Sequence, residues 1–211
     1  MNDIIDDLVT DLTPAEPARV SATMIAGLGV AALISTLAVM TVLGPRPDLM
    51  LAIQTANFWI KFAVMALLAV CAWPVLLRLA RPGYSPGMGL VIAAFVAGGL
   101  VIAGGINLLM APAAERMDVL LGHSWSACLL KVSLVSAPLF VGTMIALRRM
   151  APTRLRQTGF AAGLVAGGAG AAIYSISCTE QSLTFIASWY LLAVALVAIA
   201  GALLGPRLLR W

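Results

Sequence analysis

Charge is scarce in this chain, and very little of it falls within the long apolar stretches. Only 10% of the 211 residues are Asp, Glu, Lys or Arg, whereas 62% are hydrophobic and the mean hydropathy is +1.02. A water-soluble domain of this size cannot bury so much apolar surface, so lipid is the predicted solvent. No acidic residue falls deep within an apolar stretch, so a proton relay like those of pumps has no candidate members.

Residues that commonly carry catalysis are also scarce. His123 is the only histidine, which excludes a haem held between paired histidines. The sequence has no Gly-x-Ser-x-Gly motif, no Cys-x-x-Cys motif and no phosphate-binding loop. We therefore predict that the protein is not an enzyme and has no resident cofactor.

What the chain does contain is apolar sequence in long runs. Six stretches reach the roughly 20 residues that a bilayer-spanning helix needs. They lie near residues 20–43, 58–79, 88–110, 127–147, 159–178 and 183–204. The predicted fold is all-α, a polytopic bundle of six transmembrane helices. The first stretch is too long for a cleavable signal peptide, and the residues before it are acidic rather than basic.

The arginines predict the orientation of this bundle. Nine of them fall in the N-terminal tail, the loops at 80–87 and 148–158, and the C-terminus: Arg19, Arg78, Arg81, Arg148, Arg149, Arg154, Arg156, Arg207 and Arg210. The alternate loops hold only Arg46 and Arg116. By the positive-inside rule both termini face the cytoplasm. The net charge of +4 is therefore a signal of topology and predicts no direct nucleic-acid partner.

Spans two, four and six share a spacing that predicts three helical hairpins, formed by spans 1–2, 3–4 and 5–6. A residue near the start of each span precedes an arginine by seventeen positions, in the pairs Lys61–Arg78, Lys131–Arg148 and Tyr190–Arg207. The alternative is that each inward-running helix simply needs an arginine anchor. Both lysines lie near the outer surface, so both are expected to snorkel to the membrane interface.

Glycine recurs in spans three and five. Gly159, Gly163 and Gly167 follow one another at every fourth residue, and Gly98 and Gly99 lie within span three. Small residues at this spacing allow a second helix backbone to approach closely. We expect these glycines to serve packing of the bundle.

Two of the three cysteines are predicted to reach the same depth. Cys128 begins span four and Cys178 ends span five, so the topology brings both to the outer face, where conditions are oxidising. Lys131 lies one helical turn from Cys128 and, together with the helix N-terminus, favours its thiolate. Cys71 lies well inside span two and is most simply a small buried apolar residue.

The function of the cysteine pair stays open at this point. His123 lies on the same side, as do the acids Glu115, Asp118 and Glu180, and two thiolates with an imidazole or carboxylate suit a soft metal ion. Cys128 and Cys178 could form a structural disulfide, act as a redox- or metal-responsive pair that binds a heavy-metal ion transiently, or be two unrelated buried residues.

The N-terminal tail, residues 1–19, combines an apolar stripe with acidic residues. A helix over MNDIIDDLVTDL places five apolar residues on one side: Ile4, Ile5, Leu8, Val9 and Leu12. The acids of the same segment are Asp3, Asp6, Asp7 and Asp11. Membrane-surface helices are usually basic, because they lie on anionic lipid. This tail is therefore better suited to dock on a basic protein, whereas residues 20–211 form the transmembrane domain.

Several segments together resemble the NrsF family of bacterial inner-membrane anti-sigma factors. They are DIIDDLVTDL in the tail, FWIK at 58–61, SWSACLLK at 124–131, GFAAGLVAGGAGAAIYSISCTE at 159–180, WY at 189–190 and the closing GPRLLRW. The resemblance implies a six-helix protein that holds an extracytoplasmic-function (ECF) sigma factor inactive at the cytoplasmic face. It further implies release when heavy metals or oxidants act on two periplasmic cysteines, which correspond to Cys128 and Cys178 here.

Two rival interpretations belong to other functional classes. A small transporter or channel with a regulatory tail needs a polar track, for which the candidates are Asn107, Ser133, Ser136 and Thr143. A membrane thiol oxidoreductase would need a second relay pair of cysteines, which the sequence lacks.

Overall fold

The computed structural model describes residues 17–210, with side chains from Ala22 onward, and every regular element in that range is helical. Six long helices alternate in direction. They are α1 (Pro17–Ala38, continued by a π-helical turn Val39–Leu43), α2 (Ala56–Leu79), α3 (Gly89–Met110), α4 (Trp125–Arg148), α5 (Leu155–Tyr174) and α6 (Leu183–Phe185, a π-helical turn Ile186–Tyr190, then Leu191–Leu208). Short helices at Leu49–Ala52 and Arg116–Leu121 lie in the connections. The prediction of an all-α fold is confirmed.

Five helical segments are long and apolar enough to cross a membrane. They are Ala22–Leu43, Ala56–Leu79, Gly89–Met110, Arg116–Arg148 and Leu183–Leu208. The remaining long helix, α5, overlaps the predicted span 159–178 but is rich in glycine and carries the polar residues Arg156, Gln157 and Thr158 in its first turn. The predicted number of six spans therefore stays a prediction, as do the topology and the cytoplasmic position of both termini.

Helix α5 lies at the centre of the bundle. It packs most extensively against α6 and also contacts α2 and α4, while α1 packs chiefly against α4 and α3 packs against α2 and the start of α6. Of the three predicted hairpins, only the one formed by spans 5 and 6 is a closely packed pair in the described residues. The predicted pairing of spans 3 and 4 is wrong, because α3 packs against α2 and α6 rather than against α4. The predicted pairing of spans 1 and 2 is wrong as well, because α1 packs against α4 rather than against α2. Outward-facing apolar residues such as Val30 and Phe95 are left exposed, as a lipid-facing surface requires.

The glycines of α5 are what allow this packing. A Cβ atom at Gly159 would overlap the backbone of Gly201, and one at Gly163 would lie 2.6 Å from the Cα of Ala198. The prediction that the every-fourth-residue glycines admit a neighbouring backbone is confirmed. On α3, by contrast, a Cβ atom at Gly98 or Gly99 would meet no described atom within 4 Å, so these two glycines have no packing role inside the described bundle.

The alternating helices give the bundle two chemically different ends. At the arginine end, where α2, α4 and α6 finish, Arg148 donates from Nε to the Leu208 carbonyl at 2.7 Å and Thr158 donates to the Leu79 carbonyl at 3.3 Å. The cysteine end carries the loops at 44–55, 111–124 and 175–182. All four acids of the described chain lie in these loops or their short helices: Asp48, Glu115, Asp118 and Glu180.

Candidate functional site

Cys178 lies in a turn beyond the end of α5. The helix ends at Tyr174, so the prediction that Cys178 ends the fifth helix is wrong by four residues. Glycine and alanine fill the helix up to that point, and the polar Ser175 and Ser177 then allow the chain to turn. The Cys178 N–H donates to the Tyr174 carbonyl at 3.2 Å, which closes the turn.

The same turn is attached to the loop between α1 and α2. The Arg46 N–H donates to the Ile176 carbonyl at 3.1 Å, and the Ser177 hydroxyl donates to the Gly44 carbonyl at 2.6 Å. Backbone and side-chain bonds thus hold the cysteine-bearing turn against a loop more than a hundred residues earlier. Such bonds satisfy backbone polar groups that a buried turn cannot leave unpaired.

Cys128 and Cys178 meet in one buried cluster. Cys128 lies in the first turn of α4, where its N–H donates to the Ser124 carbonyl at 2.8 Å. Its side chain is fully buried and Cys178 is 3% exposed, and both belong to a cluster that includes Tyr174 and Tyr190. All three cysteines are free thiols, with Cys71 half-buried against the same cluster.

Lys61 of α2 reaches into this cluster. It is 1% exposed, and its Nζ donates to the Cys178 carbonyl at 3.1 Å and to the Glu180 carbonyl at 2.8 Å. The same nitrogen lies 5.1 Å from the centroid of the Tyr190 ring, a cation–π contact. The expectation that Lys61 snorkels to the membrane surface is wrong, because the 178–180 carbonyls offer its ammonium polar partners inside the protein.

The Cys178 carbonyl also accepts a hydrogen bond from a second cation, Arg46. Its Nη1 donates to the Cys178 oxygen at 3.4 Å, while Nε and Nη2 donate to the two carboxylate oxygens of Asp48 at 2.7 and 2.6 Å. The hydrogen bond from Arg46 holds the pKa of Asp48 below its ordinary value, and the same bond raises the pKa of Arg46. This bidentate pair fixes the guanidinium group and, with it, the turn at Cys178.

The residues predicted to assist the thiols are placed differently from Lys61. Lys131 is half-buried, whereas the fully buried Lys61 is bonded to the Cys178 carbonyl. The His123 side chain is 97% exposed, with Nδ1 4.0 Å from a Glu180 carboxylate oxygen that also accepts the His123 N–H at 2.8 Å. Within residues 17–210 no three His, Cys, Asp or Glu side chains are gathered as a metal site would need. Metal binding by Cys128 and Cys178 stays a prediction.

Sequence reasoning missed Lys61, Arg46 and Tyr190 as neighbours of the cysteines. The sequence pattern makes Lys61 and Tyr190 equivalent positions and predicts that Lys61 snorkels, but it places neither residue beside the cysteines. The equal spacing was the sequence signal that could have placed Lys61 and Tyr190 together, because equivalent positions on α2 and α6 lie at the same depth in the bundle. Their side chains meet because both helices pack against α5. Arg46 gave no signal apart from being one of two arginines on its side.

The other sequence-based candidates are accounted for as follows. The polar groups proposed for a transport track are engaged inside the protein: Ser133, Ser136 and Thr143 each donate to a carbonyl one turn earlier in α4, and Asn107 donates to Thr184 at 3.0 Å.

The tail residues predicted to bind a partner lie outside the described residues. They are Asp3, Ile4, Ile5, Asp6, Asp7, Leu8, Val9, Asp11 and Leu12.

Comparison with known proteins places the whole chain in one family. The family model described as "NrsF: Negative regulator of sigma F" matches residues 8–211. The chain belongs to the NrsF family. NrsF is a family of regulators rather than of enzymes, which confirms the prediction of no enzymatic activity.

Two curated NrsF relatives align with this chain over most of their length. The chain is 38% identical to the anti-sigma-F factor NrsF of Caulobacter vibrioides, with 100% of this chain and 99% of the relative aligned. It is 35% identical to the probable anti-sigma-F factor NrsF of Azospira oryzae, over 84% of this chain and 83% of that protein. No solved structure matches the chain.

Proposed function

We propose that this chain is a membrane-embedded anti-sigma factor for an ECF sigma factor. The observation that carries the proposal is the family match over residues 8–211, together with relatives named as anti-sigma-F factors. The absence of histidine beyond His123 and of the usual catalytic motifs agrees with a regulator that works by binding.

The proposed location is the bacterial inner membrane, with both termini in the cytoplasm. Five long apolar helices support a membrane position, and the grouping of arginines at one end supports the orientation. In this arrangement residues 1–19 extend from the arginine end, where a cytoplasmic sigma factor is available, and residues 20–211 form the membrane domain.

The proposed binding element is the acidic tail. Its apolar stripe, centred on Leu8 and Val9, would fill a groove on the sigma factor as an amphipathic helix. Its aspartates would pair with basic residues of the sigma factor, which speeds and orients association. An isolated helix of about ten residues is marginal in water, so binding and helix formation are expected to be coupled.

The proposed input is the thiol pair at the opposite end. Heavy metal or oxidant acting on Cys128 and Cys178 would change the cluster that joins α4 to the turn after α5. Because Lys61 and Arg46 bind the Cys178 carbonyl, such a change would also reach α2 and the 44–48 loop. The signal must lower the affinity of the tail for the sigma factor to count as allosteric release.

The experiment that tests the binding function is purification of the full, tagged chain in mild detergent from its own bacterium, with retained proteins identified by mass spectrometry. Wild-type protein should retain a sigma factor. The double variant Leu8→Asp, Val9→Asp should lose it by about tenfold or more, because two apolar contacts are replaced by charges.

A matched control adds the same two charges off the apolar stripe, as Thr10→Asp with Thr13→Asp. It should retain the sigma factor as wild type does. Equal retention by both double variants would refute the tail as binding element, and absence of any sigma factor from the wild-type preparation would refute the anti-sigma function.

A further inference from the structure

The arginine end of the bundle carries positive charge that no described acidic side chain balances. The acids of residues 17–210 all lie at the cysteine end, separated from this end by the length of the helices. Arg148 and Arg154 donate hydrogen bonds to the Leu208 carbonyl and to Gln157. The side chains of Arg78 and Arg81, by contrast, form no hydrogen bond or ion pair with a described residue. These two guanidinium groups keep all of their donors for a ligand.

Arg78 and Arg81 line the same hollow at the end of α2. Arg78 lies in the last turn of the helix, and the Arg81 N–H donates to the Arg78 carbonyl at 3.1 Å, which turns the chain at the helix end. The hollow has a volume of about 230 Å³ and is completed by Pro74, Leu77 and Tyr84. Guanidinium groups present their N–H donors as a fork that matches the oxygens of a phosphate group. Two such forks at one hollow therefore favour a phosphate-bearing ligand.

The loop that follows α2 leaves room for one of these forks. A Cβ atom at Gly87 would overlap the guanidinium group of Arg78, and the φ of Gly87 is +69°, a value that favours glycine. The backbone can therefore pass close to the Arg78 head without a side chain in between. This close approach restricts the movement of Arg78, so less side-chain entropy is lost when a ligand binds.

The apolar wall of the hollow belongs to a membrane-crossing segment. Pro74 and Leu77 fall within Ala56–Leu79, which is long and apolar enough to cross a membrane. Pro74 is exposed and precedes Arg78 by one helical turn, toward the middle of that segment. Tyr84 is 53% exposed, and tyrosine is enriched where a membrane meets water. A ligand with a charged head and an apolar body would thus meet donors at one side of the hollow and apolar surface at the other.

We propose that this hollow binds the headgroup of an anionic phospholipid. The phosphate oxygens accept hydrogen bonds from Arg78 and Arg81, the Tyr84 hydroxyl donates to the headgroup, and an acyl chain runs along Pro74. Two positive charges are balanced better by a lipid of net negative charge than by a zwitterionic lipid, which brings its own ammonium group. The inference rests on the proposed membrane location and goes beyond the anti-sigma function, because it assigns a ligand to the bundle itself.

The test measures binding of dioleoyl phosphatidylglycerol to the purified, delipidated full chain in detergent, by native mass spectrometry over a series of lipid concentrations. Dioleoyl phosphatidylcholine is the zwitterionic comparison. Wild-type protein should bind phosphatidylglycerol about tenfold more tightly than phosphatidylcholine. Arg78→Gln with Arg81→Gln should weaken binding of phosphatidylglycerol by about tenfold and so remove the preference.

The matched control is Arg154→Gln with Arg156→Gln, which removes the same charge from the same end of the bundle. These two arginines line a different hollow, formed by residues 153–157 alone. The control should bind phosphatidylglycerol as wild type does. Equal weakening in the two double variants would show a general attraction of anionic lipid to basic loops and would overturn the proposal. Arg78→Gln alone should weaken binding in the same direction, which keeps the test decisive if the double variant does not fold.

Two further measurements exclude other occupants of the hollow. Inorganic phosphate at millimolar concentration should not displace phosphatidylglycerol, and displacement would assign the hollow to a free anion. Asp6→Asn with Asp7→Asn should leave lipid binding unchanged, and tighter binding would assign the hollow to the acidic tail. Either result would overturn the lipid assignment.

Failure of the lipid site is distinguishable from failure of the proposed function. Retention of the sigma factor is measured on the same preparations. Its absence from wild-type protein that still prefers phosphatidylglycerol would refute the anti-sigma function alone. Retention of the sigma factor by wild-type protein that binds both lipids equally would overturn the lipid site alone.

Discussion

The position of Cys178 is determined by side chains from distant parts of the chain. Its carbonyl accepts hydrogen bonds from Lys61 on α2 and from Arg46 in the preceding loop, and its own N–H closes the turn after α5. Three elements therefore converge on the backbone of one residue. Because the surrounding residues are close-packed, the proposed sensing function expects a chemical change at the adjacent sulfur to alter these contacts.

At the residue scale the proposed sensing function makes a direct prediction. Cys128→Ser and Cys178→Ser, singly or together, should abolish release of the sigma factor by cadmium, chromate or peroxide, because serine neither forms a thiolate nor binds soft metals. Transcription from a promoter that depends on the sigma factor is the measurement. Cys71→Ser should respond like wild type. A normal response in the Cys128→Ser, Cys178→Ser double variant would refute the assignment.

Whether the position of a single residue could be predicted from the sequence depends on how far along the chain its contact partners lie. The coincidence of Cys128 and Cys178 at one depth follows from helix lengths and alternating direction, which are local features, and the structure brings the two together. The burial of Lys61 could not be predicted in this way. Its partners are carbonyls at positions 178 and 180, which become available only because α5 ends early, at Tyr174.

At the scale of elements, α5 is the helix on which the bundle depends. Its three neighbours approach it at glycine or alanine, as at Gly168 against Ala69 of α2 and at Gly170 against Ser136 of α4. Such close contact replaces the hydrophobic driving force that lipid does not provide between helices. The glycine spacing predicted close approach of a neighbouring backbone, whereas the central position of α5 and the packing of α1 on α4 required the three-dimensional structure.

This role predicts unequal effects of two identical substitutions. Gly163→Ala would place a methyl group against the backbone of Val197 and Ala198, and should destabilise the bundle by about 1–3 kcal/mol. Gly98→Ala meets open space on α3 and should be neutral or slightly stabilising, because alanine is the better helix former. Thermal unfolding of the detergent-solubilised proteins is the measurement. Equal stability of the two variants would contradict the central role of α5.

At the scale of the whole molecule, charge is separated along the bundle. The described acids all lie at the cysteine end, whereas Arg78, Arg148 and Arg207 lie in the last turns of α2, α4 and α6, at the arginine end. Arginine side chains resist transfer across a bilayer, so this asymmetry supports the proposed orientation, with the arginine end in the cytoplasm. An anti-sigma factor with an external sensor requires that same orientation, since sigma factors act in the cytoplasm.

The orientation can be measured with single cysteines introduced into a chain whose three native cysteines are replaced by serine. Ala113 lies exposed at the cysteine end and Ser85 lies exposed at the arginine end. A membrane-impermeant maleimide added to intact spheroplasts should label Ala113→Cys, whereas Ser85→Cys should react only after the membrane is permeabilised. The opposite pattern would place the tail outside the cell. A cytoplasmic sigma factor could not then reach it, and both the tail-docking and the thiol-sensing proposals would fail together.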